Sequence, residues 1–262
     1  MEMLAWAERP DTNRAENMKI GVYVINLARS RARWDGLSQK AGELGIALER
    51  VEGVDGAALA TGTRTDLDMK RFLRENGRIV LSGEYGCYRS HMLAVSTFRS
   101  SDYDAALILE DDVELAADLV ERAAAILEAV PDAELVKLLN HRTKWFRPRA
   151  TSRLGDEIGR SVHGPQGSAA CYLITRSGAD KILKTLEVMC YPVDVALERG
   201  WHSGLAVFTV RDNVLNLSPA SKTTEIATRD DYRKGKFRGP RRTITHLLRA
   251  LDYIRRIRYC LS

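Results

Sequence analysis

The sequence predicts an α/β domain built on a mainly parallel central sheet, and three observations support that class. Short β-branched apolar runs alternate along the chain with segments whose apolar residues recur at helical spacing. This alternation is typical of a sheet that carries helices on its faces. The chain has 262 residues, of which 45% are hydrophobic, and its net charge is only +5. Such a chain can bury a substantial core, so a largely disordered protein is excluded.

The first half of the chain supplies three predicted strands and two predicted helices. Ser82 is the predicted N-cap of the second helix. Residues 53–56, with the sequence GVDG, break the pattern after the second strand. In chain order, the predicted elements are a strand at 19–26, a helix at 30–44, a strand at 48–51, a helix at 83–98 and a strand at 105–109.

The second half continues the alternation after one long interruption. Residues 140–167 lose all periodicity, and a connection of that length is usually functional or mobile. Ser177, followed three residues later by Asp180, is similar to a capping box and predicts the start of a helix. In chain order, the predicted elements are a helix at 115–130, strands at 135–139 and 169–175, a helix from Ser177, a short helix at 194–199 and strands at 205–210 and 214–217.

Charge divides the chain into an acidic body and a basic tail. Residues 229–262 contain eleven Lys and Arg against three Asp and Glu, a net charge of +8, which leaves −3 for the rest of the chain. We therefore expect a flexible N-terminal extension at 1–17, one α/β domain at 18–228 and a basic amphipathic tail at 229–262.

The tail predicts a helix that follows Gly239 and Pro240 and ends near residue 259. Its apolar residues share one face at helical spacing, and most of its arginines lie off that face. A basic amphipathic helix can bind an anionic membrane surface. The alternatives are packing on the body or on a second subunit. The apolar face consists of Ile244, Leu247, Leu248, Leu251 and Ile254.

Several classes of protein are not expected from this sequence. No run reaches the roughly 18 apolar residues of a transmembrane helix, and the polar N-terminus lacks the apolar segment of a secretory signal. The four cysteines show neither paired nor metal-binding spacing, so we expect free thiols in a cytoplasmic protein. The basic tail contains no recognisable nucleic-acid-binding module, so no nucleic-acid partner is expected.

The most distinctive local feature is the acidic end of the third strand, in the run LILEDDVEL at 107–115. Side chains alternate faces along a strand, so Glu110 and Asp112 point one way and Asp111 points the other. Two carboxylates at the carboxyl end of a strand can hold Mg²⁺ or Mn²⁺, and open α/β sheets bind ligands at that edge. The alternative is a solvated turn whose acids favour the N-terminus of the following helix.

Five other residues are candidates, and each has a plainer interpretation. Glu84 and His91 lie on one predicted helix, where they could be a first-turn charge and a buried core histidine. Asp194 begins a helix after a rigid turn and could be a simple N-cap. Arg29 and Arg33 follow the first strand, where they could bind a diphosphate or face solvent. None of these residues decides the function alone.

Taken in order, six segments resemble glycosyltransferase family 25, the bacterial lipopolysaccharide-type glycosyltransferases. They lie between about residue 19 and residue 194 and so cover most of the body, and their order carries the resemblance more than any single segment. The segments are VINLARSRARW at 24–34, GVDG at 53–56, SGEYGCYRSH at 82–91, LILEDDVEL at 107–115, GSAACYLITRSGADKIL at 167–183 and YPVD at 191–194.

The resemblance implies a GT-A-like nucleotide-sugar-binding sandwich, a divalent metal ion, Mn²⁺ or Mg²⁺, and a UDP-sugar donor, most often UDP-galactose. It also implies inversion at the anomeric carbon and transfer of a hexose to a lipopolysaccharide-type saccharide acceptor, which we expect to be lipid-linked. Because an enzyme that acts on lipid-linked sugars must reach the cytoplasmic leaflet, we expect the basic tail to make peripheral contact with the inner face of the cytoplasmic membrane. The chain has Glu-Asp-Asp at 110–112 in place of a strict Asp-x-Asp motif. Residues 140–164 match no segment of the family, and we expect acceptor-binding loops there.

The resemblance further implies roles for individual residues. Glu110 and Asp112 are the expected metal ligands. Asp194 is the candidate general base for the acceptor hydroxyl, with Glu84 second, and Asp194 could instead complete the metal coordination. The expected donor-binding residues are Asn26, Arg29, Arg33, Asp55, Asp111 and His91.

Three rival functions stay open from the sequence. The donor could be UDP-glucose or another UDP-hexose, with a different glycan acceptor. A nucleotidyl- or phosphotransferase could use the same acids, although the chain contains neither GxxxxGKS nor GxxxxGKT. The third possibility is a nucleotide-sugar-binding protein without turnover.

Overall fold

The computed structural model describes residues 18–60, 62, 64–219 and 234–262. The predicted N-terminal extension at 1–17 lies outside these residues, and so does the predicted boundary between body and tail at 228–229. Within the described chain, strands and helices alternate as the sequence predicts, which confirms the α/β class.

Most of the strands belong to one central sheet. In chain order the strands are β1 (Ile20–Leu27), β2 (Glu49–Gly53), β3 (Ala105–Glu110), β4 (Val113–Glu114), β5 (Leu135–Lys137), β6 (Lys144–Thr151), β7 (Glu157–His163), β8 (Cys171–Thr175), β9 (Val207–Val210) and β10 (Asn216–Leu217). The eight-stranded sheet has the order β2-β1-β3-β8-β5-β9-β7-β6, and β4 pairs separately with β10. Only β7 and β8 run against the other six strands, so the sheet is mixed and mainly parallel, as predicted.

Helices cover both faces of this sheet. In chain order the helices of the described chain are α1 (Arg31–Leu44), α2 (Met69–Asn76), α3 (Ser82–Arg99), α4 (Leu119–Ala129), α5 (Arg176–Thr185), α6 (Val193–Leu197), α7 (Gly200–Ser203) and α8 (Thr243–Leu261). A short 3₁₀ turn, Gly239–Arg242, leads into α8.

The parallel neighbours β1 and β3 form the buried centre of the sheet. Alternation along these strands sends Tyr23 and Ile108 into one apolar core and Val24 and Leu107 into the other. Burial on both faces explains why the two strands are continuous apolar runs in the sequence. Their parallel register brings their carboxyl ends together at the acidic residues that follow β3.

The segment at 140–167 differs from the sequence-based expectation, because it contains the β6–β7 hairpin. Strand β6 is the outer edge of the sheet, and most of its side chains are exposed. An edge strand that faces solvent needs no apolar alternation and tolerates a proline, here Pro148. The sequence KWFRPRAT therefore gave no strand signal.

Two predicted helix caps are wrong by one or two residues. Leu81 precedes α3, so Ser82 is the first helical residue rather than the cap. Thr175 caps α5, because its hydroxyl accepts from the Gly178 N–H, and Ser177 already lies inside the helix. In both cases the helix begins slightly earlier than the sequence predicts.

Helix α8 packs on the body through its polar and aromatic side, not through its predicted apolar face. Arg256 and Thr245 are buried against the body, and the Tyr259 hydroxyl donates to the Leu205 carbonyl oxygen at 2.7 Å. Four of the five residues of the apolar face point to solvent, since the exposed fractions of Ile244, Leu247, Leu251 and Ile254 lie between 44% and 62%, and Leu248 is half-buried. Packing of the apolar stripe on the body, one of the predicted alternatives, is therefore wrong.

Two simpler expectations concern cysteines and membrane spans. All four cysteines are free thiols, as predicted. Across the described ranges, every helix is too short or too polar to cross a lipid bilayer.

Candidate active site

A cavity of about 500 Å³ lies at the carboxyl end of β3, between α3 and α6. Four carboxylates line it, and they come from separate parts of the chain. Glu84 lies in the first turn of α3, Glu110 ends β3, Asp112 follows that strand, and Asp194 lies in the first turn of α6. The structure thus brings together both predicted metal ligands and both predicted candidate bases.

Asp112 is a carboxylate whose charge is poorly compensated by its surroundings. Burial raises its pKa to about 6, and the negative charges of Glu110 and Asp111 contribute to that rise. Its Oδ1 atom is buried and has no hydrogen-bond partner among the residues that the structure describes. Folded proteins rarely leave a buried acceptor unpaired. This oxygen is therefore able to accept a proton or a cation.

Glu110 and Asp112 fit a hard divalent cation, because their oxygen atoms are the donors that Mg²⁺ and Mn²⁺ prefer. A second set of ligand atoms, from Cys87, His91 and Glu110, lies within 4.8 Å of one another. Burial raises the pKa of the Cys87 thiol well above its usual range, and a neutral thiol is a poor metal ligand. The carboxylate pair is therefore the better match to the predicted ion.

His91 supports Glu110 from inside the protein. Its imidazole is fully buried, with Nε2 at 3.3 Å from Glu110 Oε1 and Nδ1 at 3.2 Å from the Tyr172 hydroxyl. The ring also stacks on Tyr172, with 5.7 Å between ring centroids. His91 is not among the residues that line the cavity. Its contact with any ligand there would run through Glu110.

Asp111 points away from the cavity, as strand alternation predicts. Its carboxylate accepts from Asn26 Nδ2 at 2.7 Å and from Arg33 Nη1 at 3.1 Å. Asn26 is 1% exposed, and its Oδ1 accepts from Arg50 Nη2 at 2.6 Å. These bonds tie the carboxyl end of β1 to the acidic end of β3. Arg50 is a member of this network that the sequence did not single out.

A second depression, of about 730 Å³, lies on the Asp111 side of the same strand end. Arg33 and Lys40 contribute positive charge to its lining, and Ser218 lies at its rim. The Ser218 N–H donates to the Asp112 carbonyl oxygen at 2.7 Å, which fixes this rim to the acidic segment. This depression, which we call the groove, also has Asp111 and Glu114 in its lining, so its charges balance, whereas carboxylates predominate in the cavity.

Arg29 and Asp55 form an ion pair at the surface, where the Arg29 side chain is 49% exposed. Asp55 belongs to the GVDG motif, and neither partner lines the cavity or the groove. The motif needs its second glycine because a Cβ on Gly56 would lie 1.9 Å from the Ser82 carbonyl oxygen. The close contact holds the loop against the start of α3, and the ion pair ties the same loop to the residues that follow β1.

Asp194 is a carboxylate with a raised pKa. Burial is the main cause, and the negative charge of Glu198 adds to it, while Lys137 partly offsets both. Pro192 caps α6, so Asp194 is not the N-cap that the plainer interpretation allowed. A carboxylate with a raised pKa is a stronger base than an ordinary aspartate.

Glu84 lines the same cavity, but its oxygens are already engaged. Arg78 forms a bidentate ion pair with it, with 2.6 Å between Nη1 and Oε2. The Leu81 N–H also donates to Oε2 at 3.1 Å, which stabilises the first turn of α3. These contacts favour Asp194 over Glu84 as the proton acceptor.

Four polar residues of the cavity were not predicted from the sequence, namely Arg78, Cys87, His141 and Ser168. Cys87 and Ser168 lie within recognised segments, so their position in a motif was the available signal. Ser168 also has a φ of 64°, which residues other than glycine rarely adopt. Arg78 and His141 lie outside every motif, and no local pattern marks them.

Comparison with protein families extends this geometry. A family model described as Glycosyltransferase family 25 (LPS biosynthesis protein) matches residues 19–197, which is more than half of the chain. Fold, acidic cavity and match together define an α/β protein of the glycosyltransferase class. The chain belongs to glycosyltransferase family 25, which confirms the family that the six segments predict.

Several curated proteins are similar to parts of this chain. A Glycosyltransferase 25 family member from Aedes aegypti is 30% identical over 188 residues, covering 66% of this chain and 29% of that protein. Procollagen galactosyltransferase 2 from Mus musculus is 28% identical over 118 residues, covering 44% of this chain and 19% of that protein. The Homo sapiens protein named Inactive glycosyltransferase 25 family member 3 is 27% identical over 173 residues, covering 63% of this chain and 29% of that protein. The chain spans less than a third of the length of these relatives.

Solved structures give remote likenesses, of which we describe one. It is a Drosophila β1,4-galactosyltransferase 7 mutant in complex with manganese, UDP-Gal and xylobiose. The alignment covers 85% of this chain and 82% of that chain, with a TM-score of 0.40 and 9% sequence identity. At this level of similarity the likeness carries no conclusion about function.

Proposed function

We propose that this protein is an inverting, metal-dependent glycosyltransferase that moves a hexose from a UDP-sugar to a saccharide acceptor. The observation that carries the proposal is the convergence of Glu110, Asp112 and Asp194 on one cavity, where Asp112 has an unpaired buried oxygen. Membership of family 25 supports the reaction class.

The proposed reaction is a single displacement at the anomeric carbon. The acceptor oxygen forms a bond to this carbon as the bond to the diphosphate oxygen breaks, so an α-linked donor gives a β-linked product. Asp194 takes the proton of the acceptor hydroxyl as general base. Its raised pKa, caused by burial and by Glu198, suits this role.

On the donor side, Glu110 and Asp112 would hold Mn²⁺ or Mg²⁺, and the bound ion supplies charge neutralisation for the leaving diphosphate. We assign the nucleotide to the groove lined by Arg33, with Asn26 and Asp111 fixing the orientation of that side chain. In this proposal His91 orients Glu110, and the ion pair of Arg29 and Asp55 acts on the donor site only by holding the GVDG loop beside the connection that follows β1.

We propose galactose as the transferred sugar and a lipopolysaccharide-type saccharide as the acceptor. The name of the mouse relative supports galactose, and the description of the family supports the acceptor. UDP-glucose or another UDP-hexose is the alternative donor. A panel of UDP-sugars decides between them.

The test measures UDP release from that panel with Mn²⁺ and then with EDTA. We expect release from one preferred donor and its loss on chelation, because the diphosphate charge would be left uncompensated. Asp112→Asn should lose metal-dependent donor binding, whereas Asp194→Asn should keep it and lose transfer. Normal turnover in Asp194→Asn would contradict the assignment of the base.

A nucleotide-sugar-binding protein without turnover is the second candidate, because one human relative is named inactive. The intact set of Glu110, Asp112 and Asp194 supports turnover instead. The two candidates separate in one experiment. A binder without turnover would show a thermal shift with UDP-galactose and release no UDP in any condition.

We further propose that the protein works at the inner face of the cytoplasmic membrane and docks through α8. Four apolar side chains on α8 are exposed on one face, and helical spacing places Arg255 and Arg258 on the same face. Such a face fits an anionic lipid surface. Residues 234–262 contain nine Lys and Arg against one acidic residue, so two copies of this helix would repel each other.

Vesicle sedimentation tests the membrane proposal. We expect the protein to sediment with vesicles that contain phosphatidylglycerol and to stay in solution with pure phosphatidylcholine. The double variant Leu247→Ser, Leu251→Ser should lose this binding, whereas Val188→Ser, an exposed apolar residue elsewhere, should keep it. Equal binding by both variants, or a dimer that the double variant abolishes, would contradict docking to lipid.

A further inference from the structure

Trp145 in strand β6 combines two features that packing does not explain. Its side chain is 69% exposed, although tryptophan gains most from burial. Its φ is 52°, in the left-handed region that a bulky residue adopts only at an energetic cost. An exposed indole receives little compensation for that cost from the core. A residue held in this way is a candidate for a role outside folding.

Trp145 belongs to a small group of rings, which we call the aromatic platform and define as Trp145, His163 and Tyr253. The centroids of Trp145 and His163 are 5.6 Å apart, and those of His163 and Tyr253 are 5.8 Å apart. His163 Nδ1 lies 3.1 Å from the Tyr253 hydroxyl, which fixes the imidazole. The platform therefore supports the indole from below and leaves most of it open to solvent.

The aromatic platform lies at the end of the β6–β7 hairpin that adjoins the cavity. Strand β6 begins a few residues after His141, and β7 ends a few residues before Ser168, and both of these residues line the cavity. The two connections run side by side, because the Arg142 N–H donates to the Gln166 carbonyl oxygen at 3.2 Å. A chain-like ligand that enters the cavity at this edge would pass the indole.

We propose that the aromatic platform is a binding subsite for the acceptor saccharide, in which a hexopyranose ring stacks on Trp145. One face of such a ring presents C–H groups and is apolar, and the indole offers a wide apolar surface of matching shape. The exposed side chains of Lys144 and Arg142 can donate to sugar hydroxyls or acidic groups. The proposal rests on the proposed function only where it names the saccharide as the acceptor.

A membrane anchor is the other common use of an exposed tryptophan. The position of the platform disfavours it. Tyr253 lies on the side of α8 opposite Ile244 and Leu251, so the platform faces away from the apolar stripe. Trp145 is also the one large hydrophobic side chain of β6 that is exposed, since Phe146 beside it is half-buried, whereas lipid-binding surfaces are continuous apolar patches.

The test is saturation-transfer NMR with lactose, cellobiose and maltotriose, without donor or metal. We expect transfer from wild type to the protons of one ring face of at least one sugar. The signal should fall about tenfold in Trp145→Gly, the ratio that corresponds to losing one aromatic stacking contact. It should persist in part in Trp145→Phe and in full in Leu154→Ala, an exposed apolar residue at the far end of the same hairpin.

Two further measurements separate this role from folding and from lipid binding. Glycine fits the left-handed backbone, so Trp145→Gly should keep or raise the Tm. Its binding to phosphatidylglycerol vesicles should equal that of wild type. Silence of all three sugars with wild type, equal signals in Trp145→Gly, a large fall in Tm or a loss of vesicle binding would each overturn the proposal.

The result is independent of turnover. If the protein binds sugars through Trp145 but transfers none, the subsite is supported and the proposed activity is contradicted. If the protein transfers sugar but the saturation-transfer signal does not depend on Trp145, the activity is supported and the subsite is contradicted.

Discussion

Glu198 and the carboxylates of the cavity are buried groups that the protein treats in opposite ways. Glu198 is fully buried and accepts from Lys137 Nζ at 2.8 Å, from Arg256 Nη2 at 2.8 Å and from the Gln166 N–H at 3.0 Å. Burial alone would raise its pKa, but the two cations outweigh burial and lower it. Glu198 is therefore ionised and fully paired.

The cavity carboxylates Asp112 and Asp194 have raised pKa values instead, chiefly because burial is not matched by nearby cations. Only one helical turn separates Asp194 from Glu198, so a fixed charge lies beside a proton-accepting one. The negative charge of Glu198 is itself a cause of the raised pKa of Asp194. The comparison shows that a carboxylate held for structure can tune the proton affinity of its neighbour.

The largest expected effect is on turnover. Asp194→Asn removes the proposed proton acceptor, so kcat should fall about 10²–10⁴-fold while donor affinity stays unchanged. Steady-state kinetics and donor titration measure the two quantities. Asp180→Asn is the control, because Asp180 is an exposed aspartate paired with Arg99. A similar loss in both variants would mean that the effect is not specific to the cavity.

Next in size is the removal of a cation from Glu198. Arg256→Met leaves a buried carboxylate with incomplete pairing, so the free energy of unfolding should fall by about 3–5 kcal/mol in urea denaturation. Arg255→Met, on the exposed side of the same helix, should change it by less than about 0.5 kcal/mol. An equal free energy of unfolding in Arg256→Met and Arg255→Met would contradict the claim that Arg256 stabilises the buried charge of Glu198.

The pH dependence of the free energy of unfolding tests Asp112, a cavity carboxylate that lacks the ion pairs of Glu198. The pKa of Asp112 is raised to about 6 in the folded protein, so protonated Asp112 stabilises the fold at low pH. In metal-free protein this contribution is lost as the pH rises through 6. The asparagine of Asp112→Asn does not ionise, so this variant keeps its stability as the pH rises. At pH 8 its free energy of unfolding should exceed that of wild type by about 1–3 kcal/mol.

Thermal unfolding in EDTA at pH 4 and pH 8 measures the difference. Glu114→Gln, at a neighbouring exposed position, is the control and should follow wild type at both values. If the difference in Tm between Asp112→Asn and wild type is no larger at pH 8 than at pH 4, the charge of Asp112 is not poorly compensated and the prediction is wrong.

The smallest effect concerns the exposed pair of Arg29 and Asp55. Solvent screens charges at the surface, so Arg29→Gln should lower the free energy of unfolding by no more than about 1 kcal/mol. Denaturation in low and high salt measures this, and the difference from wild type should shrink in high salt. A loss as large as that of Arg256→Met would contradict the ranking.

The sequence predicted those parts of the site that local patterns determine. Strand alternation predicted that Asp111 lies apart from Glu110 and Asp112, and it does, although Asp111 and Asp112 belong to the turn that follows β3 and not to the strand. Asp194 was singled out because it follows a rigid turn at the start of a helix. The metal, donor and base roles of these residues stay predictions until the experiments above are done.

Other features depend on contacts between distant residues, which leave no local pattern. Lys137 and Arg256 converge on Glu198 from separate elements, and none of the three belongs to a recognised motif. The periodicity of α8 identified an apolar face, but it could not tell whether that face meets the body or solvent. Strand β6 escaped prediction because an exposed edge strand carries no apolar alternation, and β7 because its buried positions include Gly159 and Ser161, which give no apolar signal.

The position of Arg256 in the chain has a practical meaning. The family match ends at residue 197, yet the cation that completes the pairing of Glu198 lies in α8. The smallest fragment that preserves this pairing therefore extends well beyond the family boundary. A fragment that keeps Glu198 but ends before Arg256 would contain every proposed catalytic residue and still leave an unbalanced charge one helical turn from Asp194.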